Sequence, residues 1–235
     1  ASLILGLFSF TLPKTPPSVS KDEKVTIKDI LGLDALKLLK DRNFLVFFIS
    51  SILICIPLAF YYQNISPFLT EYKVENSTAW ASLGQISEVG FMLLLPFFFK
   101  KYGFKKTILF GMLAWGIRYA LFAFGNAGDL FFMLVIGIAL HGICYDFFFV
   151  SGQIYTDSKA GEKVKSAAQG LITLATYGLG MLVGFWVAGQ IVDKNVLADG
   201  SHNWTDVWLF PALFAVGVLI FFAVLFKNEK VEYTE

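Results

Sequence analysis

Apolar residues in this chain follow neither the alternation of a half-buried strand nor the three-to-four spacing of an amphipathic helix; they come in long, nearly unbroken runs. Roughly 20 residues at about 1.5 Å rise cross a hydrocarbon core about 30 Å thick, so a run of that length predicts a membrane-spanning helix. Six such runs occur, near 44–69, 79–99, 107–124, 130–155, 167–192 and 207–226. Hydrocarbon offers the backbone no hydrogen-bond partners, and the runs lack the alternation of a barrel wall, so helices are required. The expected fold is an all-α membrane protein built as a six-transmembrane-helix bundle over 44–227.

The flanking segments differ in kind. Residues 1–13 read as the end of a preceding transmembrane helix, apolar but too short to span and halted at Pro13. They carry neither the basic start nor the small-residue cleavage site of a secretory leader. Residues 14–43 are polar, hold Pro16, Pro17 and charges of both signs, and predict a linker with a short surface helix near 30–39. Residues 228–235 form a polar tail. This layout is that expected of the second half of a twelve-helix transporter, whose substrate site lies near the midplane where two six-helix halves meet. The missing N-terminal half would then supply the rest of the site.

Composition agrees with the runs. At 56% hydrophobic residues and a mean hydropathy of +0.65, the chain has more apolar surface than 235 soluble residues can bury around one core. The net charge of +1 says little, but its distribution is informative. Of the 19 Lys and Arg, all but Lys73, Lys194 and Arg118 fall in segments on one side of the predicted spans. By the positive-inside rule that side is cytoplasmic, which places both the 14–43 linker and the C-terminus inside. Nothing in the pattern points to a nucleic-acid partner.

Enzyme chemistry is not visible. Cys55 and Cys144 are isolated within apolar runs, without metal-ligand spacing, and no P-loop, zinc motif or nucleophile elbow occurs. No metal, cofactor or catalytic residue is expected. What stands out is polar residues where the bilayer belongs. Glu88 lies in the second run and Asp146 in the fourth. A charge at the bilayer centre costs about 2.5–3.5 kcal/mol on insertion scales, so such acids usually face a protein interior and mark a substrate or ion pathway.

Gln85 and Glu88 stand three residues apart and share a helix face. An amide and a carboxyl together can hold a polar ring or hydroxyl, and a carboxyl that exchanges a proton is what a symporter needs for coupling. The alternative is a Glu satisfied by a neighbouring base, purely to set helix register. In the fourth run, Gly142, Asp146, Phe149 and Gln153 predict one stripe carrying an acid, an aromatic platform and an amide, a set suited to a flat polar ligand. Phe147 and Phe148 point elsewhere, to lipid or packing.

His141 reads as a hydrogen-bonded interior residue or a proton relay. Arg118, the one base inside a span, is expected to form a structural ion pair with Glu88 or Asp146, or to bind helix-end carbonyls. Tyr61, Tyr62, Gln63 and Asn64 form a polar cluster between Pro57 and Pro67, on a helix expected to kink or break; they are either site residues or an interfacial aromatic belt. Gly180 and Gly184 have the spacing of a close helix–helix contact.

Three segments, ASLGQISEVGFMLLLPFFFKKYGFKK, GMLAWGIRYALFAFG and LHGICYDFFFVSGQIY, resemble in order and spacing the C-terminal half of bacterial nucleoside:proton symporters of the major facilitator superfamily. The likeness covers roughly 44–226. It implies a substrate site in which Gln85 and Glu88 contact the nucleoside, with Asp146 binding sugar hydroxyls or taking part in proton coupling and Tyr145 in an aromatic position beside it. It also implies a glutamine and an asparagine on the first helix of this half, met here by Gln63 and Asn64, adjacent rather than a turn apart. The function implied is nucleoside transport by proton symport in a bacterial cytoplasmic membrane, with substrate, proton and lipid as partners. A sugar or oligosaccharide symporter, and a non-transporting packing module, are the alternatives.

Overall fold

The computed structural model describes residues 2–14 and 32–229 of the chain. It separates into two units, 1–31 and 32–235. The first holds one short helix, α1 (Ser2–Ser9), none of whose residues is buried. Most of the predicted linker, 15–31, lies outside the described residues, as does the end of the tail beyond 229.

The second unit begins with a 3-10 helix, Leu33–Lys40, near the place where a short surface helix is predicted. Asp41 then caps α2 (Arg42–Glu71), its carboxylate accepting the Phe44 N–H at 2.9 Å. Pro57 and Pro67 lie inside α2, which runs through both without interruption; of the expected kink or break, the break does not occur. Next come α3 (Ser77–Phe124), α4 (Phe131–Ala139) and α5 (His141–Tyr145). A π-helical turn, Asp146–Val150, leads into α6 (Ser151–Thr173), and a second, Leu174–Gly180, into α7 (Met181–Lys194). The last helix is α8 (Trp204–Leu225). Among the described residues the isolated bridge between Val196 and His202 is the sole β pairing recorded.

Four stretches are long and apolar enough to cross a membrane: Arg42–Glu71, Ser77–Phe124, Phe131–Lys194 and Trp204–Leu225. Two of these four each cover two of the predicted runs, and each contains one glycine outside helical backbone. Ser77–Phe124 has 48 residues and turns non-helical at Gly103 (φ 75°, ψ 172°); Phe131–Lys194 has 64 and does so at Gly161 (φ 66°, ψ 171°). A left-handed φ is open to glycine because it has no Cβ, and it breaks the helical backbone at that residue. Lys101, Lys105 and Lys106 flank the first break, and Lys159, Lys163 and Lys165 the second.

The helices pack on an aromatic core. α3 lies against α4, α5 and α8, while α2 lies against α7 and α8. At one end Phe68, Trp204, Trp208, Tyr119 and Phe122 interlock, with Tyr119 stacked on Trp208 at 5.7 Å between ring centres. At the end of the Lys-rich breaks Phe104 stacks on Tyr155 at 4.4 Å, backed by Phe44, Phe47 and Phe226. Small residues set the closest approaches: a Cβ on Gly184 would stand 2.7 Å from Ala59 Cβ, and one on Gly180 2.7 Å from Cys55 Cβ. The Gly180–Gly184 pair therefore serves helix packing between α2 and the segment ending in α7.

Candidate functional site

Three polar residues from two helices form a chain through the core. Arg118 Nη1 lies 2.6 Å from His141 Nδ1, and His141 Nε2 lies 2.8 Å from Glu88 Oε1. Arg118 and His141 are fully buried, and the Glu88 side chain keeps 26% of its exposure. The guanidinium sits 3.6 Å above the Tyr61 ring centre, a close cation–π contact, and the same ring stacks on His141 at 5.0 Å. Local packing makes the chain possible. Gly84 and Gly142 let α3 and α5 approach until Gly142 N–H donates to Ser87 Oγ at 3.0 Å. A side chain at either glycine would push His141 away from Glu88.

The sequence leaves Arg118 either paired with Glu88 or Asp146 or bound to helix-end carbonyls. Among the described residues it makes no ion pair with Glu88 or Asp146; the imidazole lies between, with Nδ1 facing the guanidinium and Nε2 facing the carboxylate. His141 is buried and hydrogen-bonded to Arg118, as the interior reading of it expects. Its signal was the coincidence of a lone intramembrane Arg, a lone intramembrane His and an acid, each of which needs a partner.

Asp146 is wholly buried, and neither carboxylate oxygen has a hydrogen-bond partner. It opens the π-helical turn. Such turns insert a residue into the α-helical repeat and recur at functional sites. The insertion also alters the predicted stripe: Asp146 and Phe149 are buried, whereas Gln153 is exposed, because counting at 3.6 residues per turn fails across the extra residue. Phe147 and Phe148 are buried packing residues, as one of the two expected roles had it.

Tyr145, next to Asp146, is half-buried and its hydroxyl meets that of Tyr177 at 2.6 Å, joining α5 to the second π-helical turn. Its ring lies 5.9 Å from His141 and 5.0 Å from Phe149.

The remaining candidates separate. Gln63 is exposed and Asn64 buried, as adjacent residues about 100° apart on a helix must be when one face is in the core. Asn64 Nδ2 is buried without a partner. Gln85 is exposed and its amide, oriented to donate, reaches Ala81 O and Ser82 O of its own helix at 3.2 Å each. Arg118 Nε and Nη2 also lack hydrogen-bond partners. Asp146, Asn64 and Arg118 thus each keep buried polar atoms without a hydrogen-bond partner. No group of His, Cys, Asp and Glu suited to a metal ion occurs among the described residues.

Comparison with known proteins gives this arrangement a family. The model of the nucleoside H+ symporter family matches residues 1–231. The chain is 44% identical to YegT of Escherichia coli (strain K12), the alignment covering 100% of this chain and 56% of that one. It is 32% identical to the xanthosine permease of the same organism and 31% identical to its nucleoside permease NupG, covering 97% and 98% of this chain. Two crystal structures of the nucleoside transporter NupG, one of a point-substituted form, superpose with TM-scores of 0.80 and 0.77 at 31% and 30% identity over 96% and 97% of this chain. The chain spans little more than half the length of these relatives, 56% to 58%. With a family match over nearly its whole length and a common fold at this identity, the chain belongs to the nucleoside H+ symporter family.

Proposed function

We propose that this chain is the C-terminal six-helix half of a nucleoside:proton symporter with a major facilitator fold. Gly103 and Gly161 divide the 48- and 64-residue apolar stretches, so each counts as two spans and the total becomes six. The Lys residues at both breaks then sit on the cytoplasmic face of a bacterial inner membrane, together with the linker and the C-terminus. The missing N-terminal half completes the binding site at the interface between halves.

In this reading Gln85, Glu88, Tyr145, Asp146, Gln63 and Asn64 contact the nucleoside from this half. Ribose hydroxyls and base N–H groups donate to the carboxylates, amides bond the base edge, and Tyr145 offers a ring to stack on. Asp146 and Glu88 carry the proton coupling. Protonation and nucleoside binding favour the occluded state, and rocking of the halves exposes the site to each side in turn. The observation that carries this reading is Asp146: a fully buried carboxylate with both oxygens unpartnered, placed on a π-helical turn in a span.

Uptake of labelled uridine by the full-length protein in proteoliposomes, driven by an imposed proton gradient, tests it. Glu88→Gln and Asp146→Asn should each reduce driven uptake about tenfold or more, and unlabelled nucleosides, not sugars, should compete. Both variants transporting like wild type would remove the site assignment, and competition by sugars alone would replace the substrate class.

A further inference from the structure

The hydrogen-bonding capacities in the Arg118–His141–Glu88 chain fix where every proton on the imidazole sits. A guanidinium only donates, so His141 Nδ1, 2.6 Å from Arg118 Nη1, is the bare accepting nitrogen. A neutral imidazole then carries its proton on Nε2, the nitrogen that lies 2.8 Å from Glu88 Oε1. An imidazolium would set an Nδ1–H against a guanidinium N–H, two donors with no acceptor. A ring flip would turn carbons to both partners. The ring is also clamped: Tyr61 stacks on one face, Tyr62 and Tyr145 lie at 6.4 and 5.9 Å, and a Cβ added at Gly84 would come within 3.3 Å of His141 Cβ and Cδ2.

Glu88 is therefore held by one oxygen. Oε1 is the oxygen that meets the imidazole, at 2.8 Å, and among the described residues no hydrogen bond reaches Oε2. Any proton Glu88 takes up goes to Oε2, the same oxygen that is free to meet a ligand. Resting on the reading that Glu88 contacts the nucleoside, we propose that His141, locked by Arg118 with its proton on Nε2, is a positioning residue that presents Oε2 of Glu88 alone to substrate and proton. The class of ligand group that fits there is a hydroxyl or N–H donor when Oε2 is bare. His141 itself stays outside the proton path.

The test uses the full-length protein, with uridine as the probe. His141→Phe keeps a ring for Tyr61 but removes both nitrogens. His141→Gln restores an acceptor for Arg118 and a donor for Glu88. The expected result is a rise in KM for uridine of about tenfold for His141→Phe with maximal rate changed less than about twofold, and a KM within about threefold of wild type for His141→Gln. An unchanged KM in His141→Phe, or equal damage in both variants, overturns the proposal.

Nitrogen NMR of histidine-labelled wild-type protein, with His141 assigned by its absence in His141→Gln, adds a readout that needs neither transport nor a folded His141→Phe. A protonated Nε2 and bare Nδ1 throughout pH 6–8 support the lock; an Nδ1–H tautomer or an imidazolium in that range overturns it. If wild type takes up no uridine, the functional reading falls instead, and the NMR still decides the tautomer.

Discussion

Gly142 and Ser87 are in direct contact: the glycine N–H donates to the serine hydroxyl at 3.0 Å, and a Cβ on Gly142 would stand 2.5 Å from the Ser87 carbonyl carbon. Backbone, unlike a flexible side-chain tip, cannot yield by rotation. Gly142→Ala must therefore part α3 from α5, and forced overpacking of this kind costs about 1–3 kcal/mol. Because His141 and Glu88 are the next residues along those helices, the 2.8 Å link between them should break with it. The expected outcome is a lower thermal midpoint in detergent together with weakened uridine binding; a variant as stable as wild type would show that the helices are not held this close.

A matched pair of glycines tests the same physics without touching the site. A Cβ at Gly184 meets Ala59 Cβ at 2.7 Å and backbone atoms of Cys55 and Ile56 at 3.0 Å, while one at Gly170 meets nothing within 4 Å. Gly184→Ala should destabilise. Gly170→Ala should be neutral or stabilising by about 0.5–1 kcal/mol, since alanine loses less backbone freedom in a helix than glycine. Thermal midpoints of the two variants, measured side by side, check the prediction; the same shift in both would mean that α2 and α7 do not pack through this surface.

How much of this was legible in the sequence depends on whether a residue's meaning is local. Glu88 and Asp146 were conspicuous because a charge inside an apolar run is costly wherever the helix goes. His141 reads as a hydrogen-bonded interior residue, but its partner Arg118, 23 positions earlier on another helix, is not legible, because no periodicity reports that distance. Gln153, placed on the stripe of Asp146 by counting 3.6 residues per turn, is exposed where Asp146 and Phe149 are buried, and that count does not hold through a π-helical turn. Gly103 and Gly161 lie among lysines that mark loops, yet their positive φ, which breaks the helix at one residue, is a property of the backbone alone. Gln63 and Asn64 behave as adjacency requires, one outward and one inward.

Asp146→Asn separates coupling from fold. The wild-type carboxylate makes no hydrogen bond, so exchange for an amide of the same shape breaks none. Its thermal midpoint should therefore equal or exceed that of wild type. Proton-driven accumulation of uridine should fall about tenfold or more, while exchange of labelled for unlabelled uridine across the membrane, which needs no net proton movement, should persist. Loss of both activities with a lowered midpoint would reassign Asp146 to structure.

Asp41 permits a pH prediction at the membrane edge. Its carboxylate caps α2 through Phe44 N–H at 2.9 Å and receives Lys159 Nζ at 3.2 Å, and Lys159 also binds Glu229 at 2.8 Å, so one lysine ties α6 to the segments flanking α2 and α8. Partial burial alone would raise the Asp41 carboxyl, but the Phe44 N–H and then Lys159 outweigh it and hold the group below its ordinary 3.8. A depressed folded-state value means that the ionised cap adds stability above the unfolded value, and that this contribution is lost as pH falls through the folded one. The side chain is 45% exposed, so the effect is small, within the range of about 0–1 kcal/mol for surface pairs. Asn caps a helix as well as Asp, so Asp41→Asn removes the charge and keeps the cap. Wild type should melt slightly above Asp41→Asn near pH 6, and the gap should close as pH falls below about 4. A gap that stays constant over that range would show that Asp41 acts only as a neutral cap.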